Sequence, residues 1–193
     1  NIKLFCFLIE NIYKIMYYII GVDSVDWLDI KEFIKDSIKY ILFVLTIIII
    51  AVYVIGFNQV IGSSMNPTLN NNDVLILDKL VYRLKNIKRY DIVAINDEQS
   101  KYIVKRVIGL PNDKVVFKDN ILYINDEKIT EDYKIGTTED LEVIVPKDMY
   151  FVLGDNRENS SDSRDKKIGF IKKENILGKI RIKLWPFNKF KIY

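Results

Sequence analysis

An uninterrupted apolar run at residues 40–57, YILFVLTIIIIAVYVIGF, constrains this chain more than any other feature of its sequence. It carries no charge, and Thr46 is its only strongly polar side chain. As an α-helix rising 1.5 Å per residue it covers roughly 27 Å, close to a hydrocarbon core of about 30 Å. Its β-branched residues would also suit a buried strand, but strands are rarely this long. Tyr40 and Tyr53 lie towards its ends, where an amphipathic ring suits the lipid–water interface. The run is expected to be a transmembrane helix, and a lipid bilayer is therefore an expected partner.

The flanks orient it. Lys31, Lys35 and Lys39 precede the run, and no Lys or Arg follows until Lys79. The positive-inside rule then places the N-terminus in the cytoplasm and the rest outside, as a single pass through the plasma membrane. The run exceeds a signal peptide's apolar core and has no small-residue cleavage site just after it, so it reads as a retained anchor. This divides the chain into a cytoplasmic or interfacial segment (1–39), the span (40–57) and an extracytoplasmic domain (58–193). Residues 1–22 are apolar but broken by Glu10 and Lys14 at i,i+4 spacing. An interfacial helix, a first span and a mis-set N-terminus all fit them.

Beyond residue 57 the texture changes to short runs: VLILDKL, DIVAI, YIVKRVIGL, KVVFKDN, ILYINDEKI, EVIVP and MYFVLGD. Asn, Asp, Gly and Pro punctuate them, which predicts strands and turns. Polar turns at 118–120 and 125–127 predict a hairpin. No later segment keeps a helical period over a dozen residues. The fold class expected is mainly β, an antiparallel sheet domain after one membrane helix.

Composition removes several chemistries. The chain has no histidine and one cysteine, Cys6, so Ser-His-Asp triads, Cys-His dyads and the usual His/Cys zinc sites are excluded. Neither a metal nor an organic cofactor is expected. With 29 basic and 26 acidic residues the net charge is +3, too even to point to nucleic acid.

Without histidine, an activated serine needs another base, and a buried lysine is the main option. Three stretches qualify for attention. IGSSMNPTLNNND, at 61–73, reads as an exposed turn carrying serines, or simply as a polar loop with capping hydroxyls. YIVKRVIGLPND, at 102–113, reads as a strand with Ile103, Lys105 and Val107 on one face. There burial would lower the lysine pKa, and the neighbouring Arg106 would add like-charge pressure; a snorkelling surface lysine is the blander alternative. LGDNRENSSDSRD, at 153–165, is too polar for a strand, and the spacing of Asp155, Asp162 and Asp165 does not fit an EF-hand loop.

Together these stretches resemble the conserved boxes of type I signal peptidases, in their order and in following a membrane span. SMNPTL at 64–69, Asp73 with Leu77-Asp78-Lys79, Arg89 with Asp91-Ile92-Val93, KRVIGLP at 105–111 and GDNRENSSDSR at 154–164 carry the likeness, which extends over about residues 31–187. The resemblance implies a membrane-bound serine endopeptidase with a Ser–Lys dyad, acting on signal peptides of exported preproteins through an acyl-enzyme. It implies Ser64 as nucleophile and Lys105 as general base. Ser160 would orient the lysine, Asp162 and Arg164 would form a supporting ion pair, and Asp155 would pair with Arg106. Gly62, Met65 and Leu69 would belong to the substrate pocket, whose size favours small side chains. The Ser64 N–H would supply part of an oxyanion hole.

The sequence departs from that pattern in places. Gly62 stands where Gram-negative members carry a serine, as in the Gram-positive type. Asn112 replaces a usual glycine, and Asn71-Asn72 replaces a Gly-bearing turn; Asn tolerates positive φ better than most residues. Only six residues separate Phe57 from Ser64, a reach of about 25 Å at most, so the serine is expected near the outer membrane face. A soluble self-cleaving Ser–Lys repressor would lack the span, and the endoplasmic-reticulum peptidase uses His, which is missing here. An inactive tethered β-domain that binds exported chains is the rival from another functional class.

Overall fold

A computed structural model describes residues 7, 10–12, 14–15, 27–96 and 102–193. Most of the 1–22 segment lies outside them. Its described residues are helical, with Lys14 Nζ 3.9 Å from Glu10 Oε1.

The first long element is α1, Trp27–Tyr53. Within it Ile30–Tyr53, 24 residues, is long and apolar enough to cross a membrane. Its Phe43, Ile48 and Val52 side chains are exposed, as lipid-facing residues would be. Both ends correct the expected bounds. The helix starts well before Tyr40, through the lysine-bearing turns, because nothing between Trp27 and Tyr40 breaks it. It stops at Tyr53, because Ile55–Gln59 forms strand β1 instead. Apolarity alone does not separate the two elements; pairing does, with Ile55 opposite Asp78 and Phe57 opposite Ile76.

The second compact unit runs from Ile49 to Tyr193. Its strands in chain order are β1, β2 Val74–Asp78, β3 Ile92–Asn96, β4 Tyr102–Gly109, β5 Lys114–Lys118 and β6 Ile121–Ile124. They continue with β7 Glu127–Ile129, β8 Leu141–Ile144, β9 Met149–Leu153, β10 Ile171–Lys172, β11 Ile176–Trp185 and β12 Lys191–Ile192. A single helical turn, α2 Val81–Leu84, follows β2. Among the described residues the strands build two antiparallel sheets, ordered β1-β2-β11-β3-β4-β9-β10, with β12 on β11, and β7-β6-β5-β8.

The mainly antiparallel β architecture is as the sequence predicts, and its turns follow local chemistry. Asp119-Asn120 and Asn125-Asp126 all have positive φ, as two-residue hairpin loops require. Asn72 and Asn112 also sit in the left-handed region, at φ 69° and 68°, so asparagine does serve where glycine is usual.

Three apolar clusters hold the unit together. Val93, Ile95, Val107 and Val152 pack with Tyr82 and Ile176. Met65, Leu69, Leu75, Leu77 and Ile180 form a second cluster with Ile92 and Ala94. Between the sheets, Ile108, Phe151 and Leu153 meet Val115, Phe117 and Leu122. At roughly 25 cal/mol per Å² of buried apolar surface, these clusters are the main stabilising force. They fix β4, which carries Lys105, between β3 and β9.

Candidate active site

Ser64 lies on the turn after β1. Asn66 N–H donates to the Ser63 carbonyl at 3.1 Å, and Leu69 N–H to the Met65 carbonyl at 2.9 Å. Asn156 clamps the same turn from the other side: its N–H donates to the Ser64 carbonyl at 3.0 Å and its Nδ2 to the Ser63 carbonyl at 3.2 Å. Gly62 has φ +97°, a conformation that disfavours side chains, and its N–H donates to Asn71 Oδ1 at 2.9 Å. Ile61 and Ser64, on either side of it, line an open cleft of about 890 Å³. Met65, Ala94, Val104 and Lys105 line it too. Leu69 does not reach the cleft. It is fully buried among Leu75, Leu77 and Ile180, because the backbone turn after Met65 directs it into the core.

Lys105 is carried on β4 and is only 3% exposed. Its Nζ donates to Ser160 Oγ at 3.0 Å, and Ser160 Oγ donates to Asp162 Oδ2 at 2.6 Å. Ser160 has one proton, and Asp162 takes it, so Ser160 receives Lys105 through a lone pair. The lysine's own lone pair, once it is neutral, is left for the cleft. Asp162 is fully buried and held by Arg164 Nε at 2.8 Å, Arg164 Nη2 at 2.9 Å and Gly154 N–H at 3.0 Å. Burial by itself would raise the Asp162 pKa, but these donors together keep it below the ordinary value.

Burial is the largest influence on Lys105 and draws its pKa down from 10.5 to about 8. The Asp162 charge pulls upward, and Arg164 pushes down. The expectation that Arg106 supplies the like-charge pressure is corrected here. Alternation along β4 turns Arg106 to the opposite face, where Asp155 neutralises it: Nε lies 2.8 Å from Oδ1 and Nη2 2.6 Å from Oδ2. The Asp155–Arg106 pair is therefore present, and Thr68 Oγ1 joins it by donating to Asp155 Oδ2 at 2.5 Å.

Two contributors have no role at the site in the sequence reading, which sets Lys183 beside Trp185-Pro186-Phe187 as an interfacial contact. Gly154 stands where an added Cβ would lie 2.2 Å from Ser160 Oγ and 2.5 Å from the Ser64 carbonyl oxygen. Only glycine lets those two segments close on each other, and its membership of the polar box was the available signal. Lys183 is buried, donates to the Thr68 carbonyl at 3.1 Å and pairs with Asp73 at 3.3 Å, bracing the far end of the Ser64 turn. Nothing in the alternation of β11 marks it, because register irregularities at Ile180/Ile182 and Lys183/Trp185 shift which side chains point inward.

A serine hydroxyl and a buried amine near neutrality, in one largely apolar cleft, are the elements of nucleophilic catalysis without histidine. Comparison with known proteins gives the family. The model of the family "Signal peptidase, peptidase S26" matches residues 30–185. Signal peptidase I of Bacillus caldolyticus is 39% identical over 145 residues, 67% of this chain and 79% of that protein. Signal peptidase I U of Bacillus subtilis is 38% identical over 176 residues, 81% and 93% of the two chains. A solved signal peptidase I from Enterococcus faecalis has 36% identity and a TM-score of 0.45, covering 49% of this chain and 97% of that one. The chain belongs to the signal peptidase family, peptidase S26, and is by that membership a serine peptidase.

Proposed function

We propose that this chain is a membrane-anchored endopeptidase that removes signal peptides from exported preproteins with a Ser64–Lys105 dyad. The observation that carries the proposal is the relay Lys105–Ser160–Asp162, which holds the amine in the cleft it shares with Ser64. In the first step neutral Lys105 takes the Ser64 proton as Oγ attacks the scissile carbonyl. The Ser64 N–H stabilises the oxyanion, a contribution commonly worth several kcal/mol. Lys105 then returns the proton to the leaving amine, giving an ester on Ser64 and the freed mature chain. Water, deprotonated by Lys105, hydrolyses the ester and releases the signal peptide. The N-terminus lies in the cytoplasm and the β-domain outside the plasma membrane, where the cleavage site of an exported chain emerges.

The direct test incubates the purified full chain in detergent with an exported preprotein and sequences the new N-terminus. One cut, following small residues at the first and third positions before the bond, is expected. No cut, or cuts scattered along the mature part, would overturn the proposal.

The base also predicts a pH profile. Only the neutral amine accepts a proton, so kcat/KM rises with pH and is half-maximal near pH 8. Arg164→Gln removes a cation that disfavours the ammonium, so the midpoint moves to higher pH. Asp162→Asn removes the anion that favours it, so the midpoint moves lower. A midpoint near 10.5 in the parent, or shifts of the wrong sign, would exclude Lys105 as the base.

A further inference from the structure

The cleft that holds Ser64 and Lys105 continues to a basic end, where Lys79 and Arg83 line it beside Val52, Tyr53 and Phe57. Among the described residues neither cation has a carboxylate partner. Lys79 Nζ instead donates to the Val52 carbonyl at 3.1 Å. The neighbouring carboxylate, Asp78, is already occupied: it accepts from Leu80 N–H at 3.1 Å and Val81 N–H at 3.0 Å, and lies 3.3 Å from Arg181 Nε. Both cations are exposed, and Lys85 and Lys88 after them add to the positive field. Such a pair in a substrate cleft has no structural task that lysine and arginine are needed for, apart from the single bond to Val52.

Its distance from the serine can be read along β1. The Lys79 side chain lies over Gly56, where an added Cβ would stand 3.0 Å from Lys79 Cε. From Gly56 to Gln59 the chain is extended, about 10 Å at roughly 3.3 Å per residue, and Ser64 follows on the next turn. Among the described residues β1 is the edge strand of its sheet, where an extended chain can pair beside it. A substrate laid there with its scissile bond at Ser64 places a side chain about five to seven residues from that bond at the two cations. The last turn of α1 lines the same end of the cleft. Given the membrane reading above, on which this inference rests, that end receives the part of the substrate coming out of the bilayer, which precedes the bond.

We infer that Lys79 and Arg83 form a charge-reading subsite, favouring an acidic side chain and disfavouring a basic one about six residues before the cleavage site. The test compares one preprotein carrying Glu, Gln or Lys at that position, cleaved by the full-length chain in uncharged detergent. At low salt kcat/KM should fall in the order Glu, Gln, Lys, by about three- to tenfold across the series, the scale of partly exposed ion pairs. Molar salt should flatten the order. Arg83→Glu leaves the pair without net charge and should flatten the order, Lys79→Glu together with Arg83→Glu should reverse it, and Arg83→Lys should keep it; thermal unfolding of each variant checks the fold.

Equal rates for the three substrates, with the bond still cut by the parent enzyme, would overturn the subsite while leaving the peptidase reading intact. Failure to cut any of them would count against the peptidase reading itself. A third pattern also sinks the subsite: indifference to substrate charge, together with activation when phosphatidylglycerol replaces phosphatidylcholine in nanodiscs, would assign the cations to a lipid headgroup.

Discussion

Ser64→Ala and Lys105→Met are each expected to abolish preprotein cleavage, lowering kcat by about 10⁴-fold or more, as removal of one member of a nucleophile–base unit does elsewhere. The double variant should be no worse than either single one, because neither group functions without the other. Stability separates the two residues. Lys105 is an ammonium group almost wholly enclosed, with a folded pKa of about 8 against an ordinary 10.5. At about 1.4 kcal/mol per pKa unit, the charge costs the fold on the order of 3 kcal/mol. The folded pKa is the lower one, so this penalty is complete below pH 8 and fades as pH rises to 10.5. Lys105→Met should therefore raise the unfolding free energy at pH 7, with the gain shrinking through that window. Ser64→Ala should leave it nearly unchanged. Denaturation of both variants at pH 7 and pH 10.5 measures this, and a Lys105→Met chain less stable than the parent at pH 7 would contradict a buried, destabilised base.

Much of this site is legible in the sequence because its chemistry is local. Ser64 stands in a turn rich in Asn and Pro, and Lys105 lies between β-branched neighbours, so accessibility and desolvation can both be read from a few residues. Strands β2 to β9 are legible for the same reason: alternation ends at Asn, Asp and Gly. The misreadings arise where a local pattern has two tertiary outcomes. Ile55, Gly56 and Phe57 are as apolar as the helix before them, and only their pairing with β2 makes them strand. Arg106 is next to Lys105 in sequence but across the sheet in space, while Arg164, far along the chain, stands behind Asp162 and supplies the like-charge pressure. Leu69 belongs to the core although its motif suggests a pocket.

Glu131 shows what no motif reveals, and its removal is expected to cause the largest loss of stability. Arg157, a box residue without an assigned role, has a fully enclosed side chain, and Glu131 beside it is 2% exposed. They form a bidentate pair: Arg157 Nη1 donates to Glu131 Oε2 at 3.0 Å and Nη2 donates to Oε1. Tyr133 donates to Oε1 at 2.9 Å, and its ring lies 4.0 Å from the Arg106 guanidinium. Arg157 Nε donates to the Gly154 carbonyl at 3.1 Å, which ties the pair to the glycine that packs on Ser160 and Ser64. Glu131→Gln keeps the shape but leaves a buried guanidinium without its counter-charge, which typically costs about 3–5 kcal/mol. Denaturation of the full chain in detergent should show that loss, and activity should fall with it because Arg157, which holds the Gly154 carbonyl, loses its own anchor. Replacing both residues, Glu131→Met with Arg157→Met, removes the orphaned charge and should recover a substantial part of the stability. It should not recover the activity, since without Arg157 the Gly154 carbonyl loses its donor. A Glu131→Gln chain within about 1 kcal/mol of the parent would mean that Arg157 reaches water and that Glu131 does not brace the Gly154 segment.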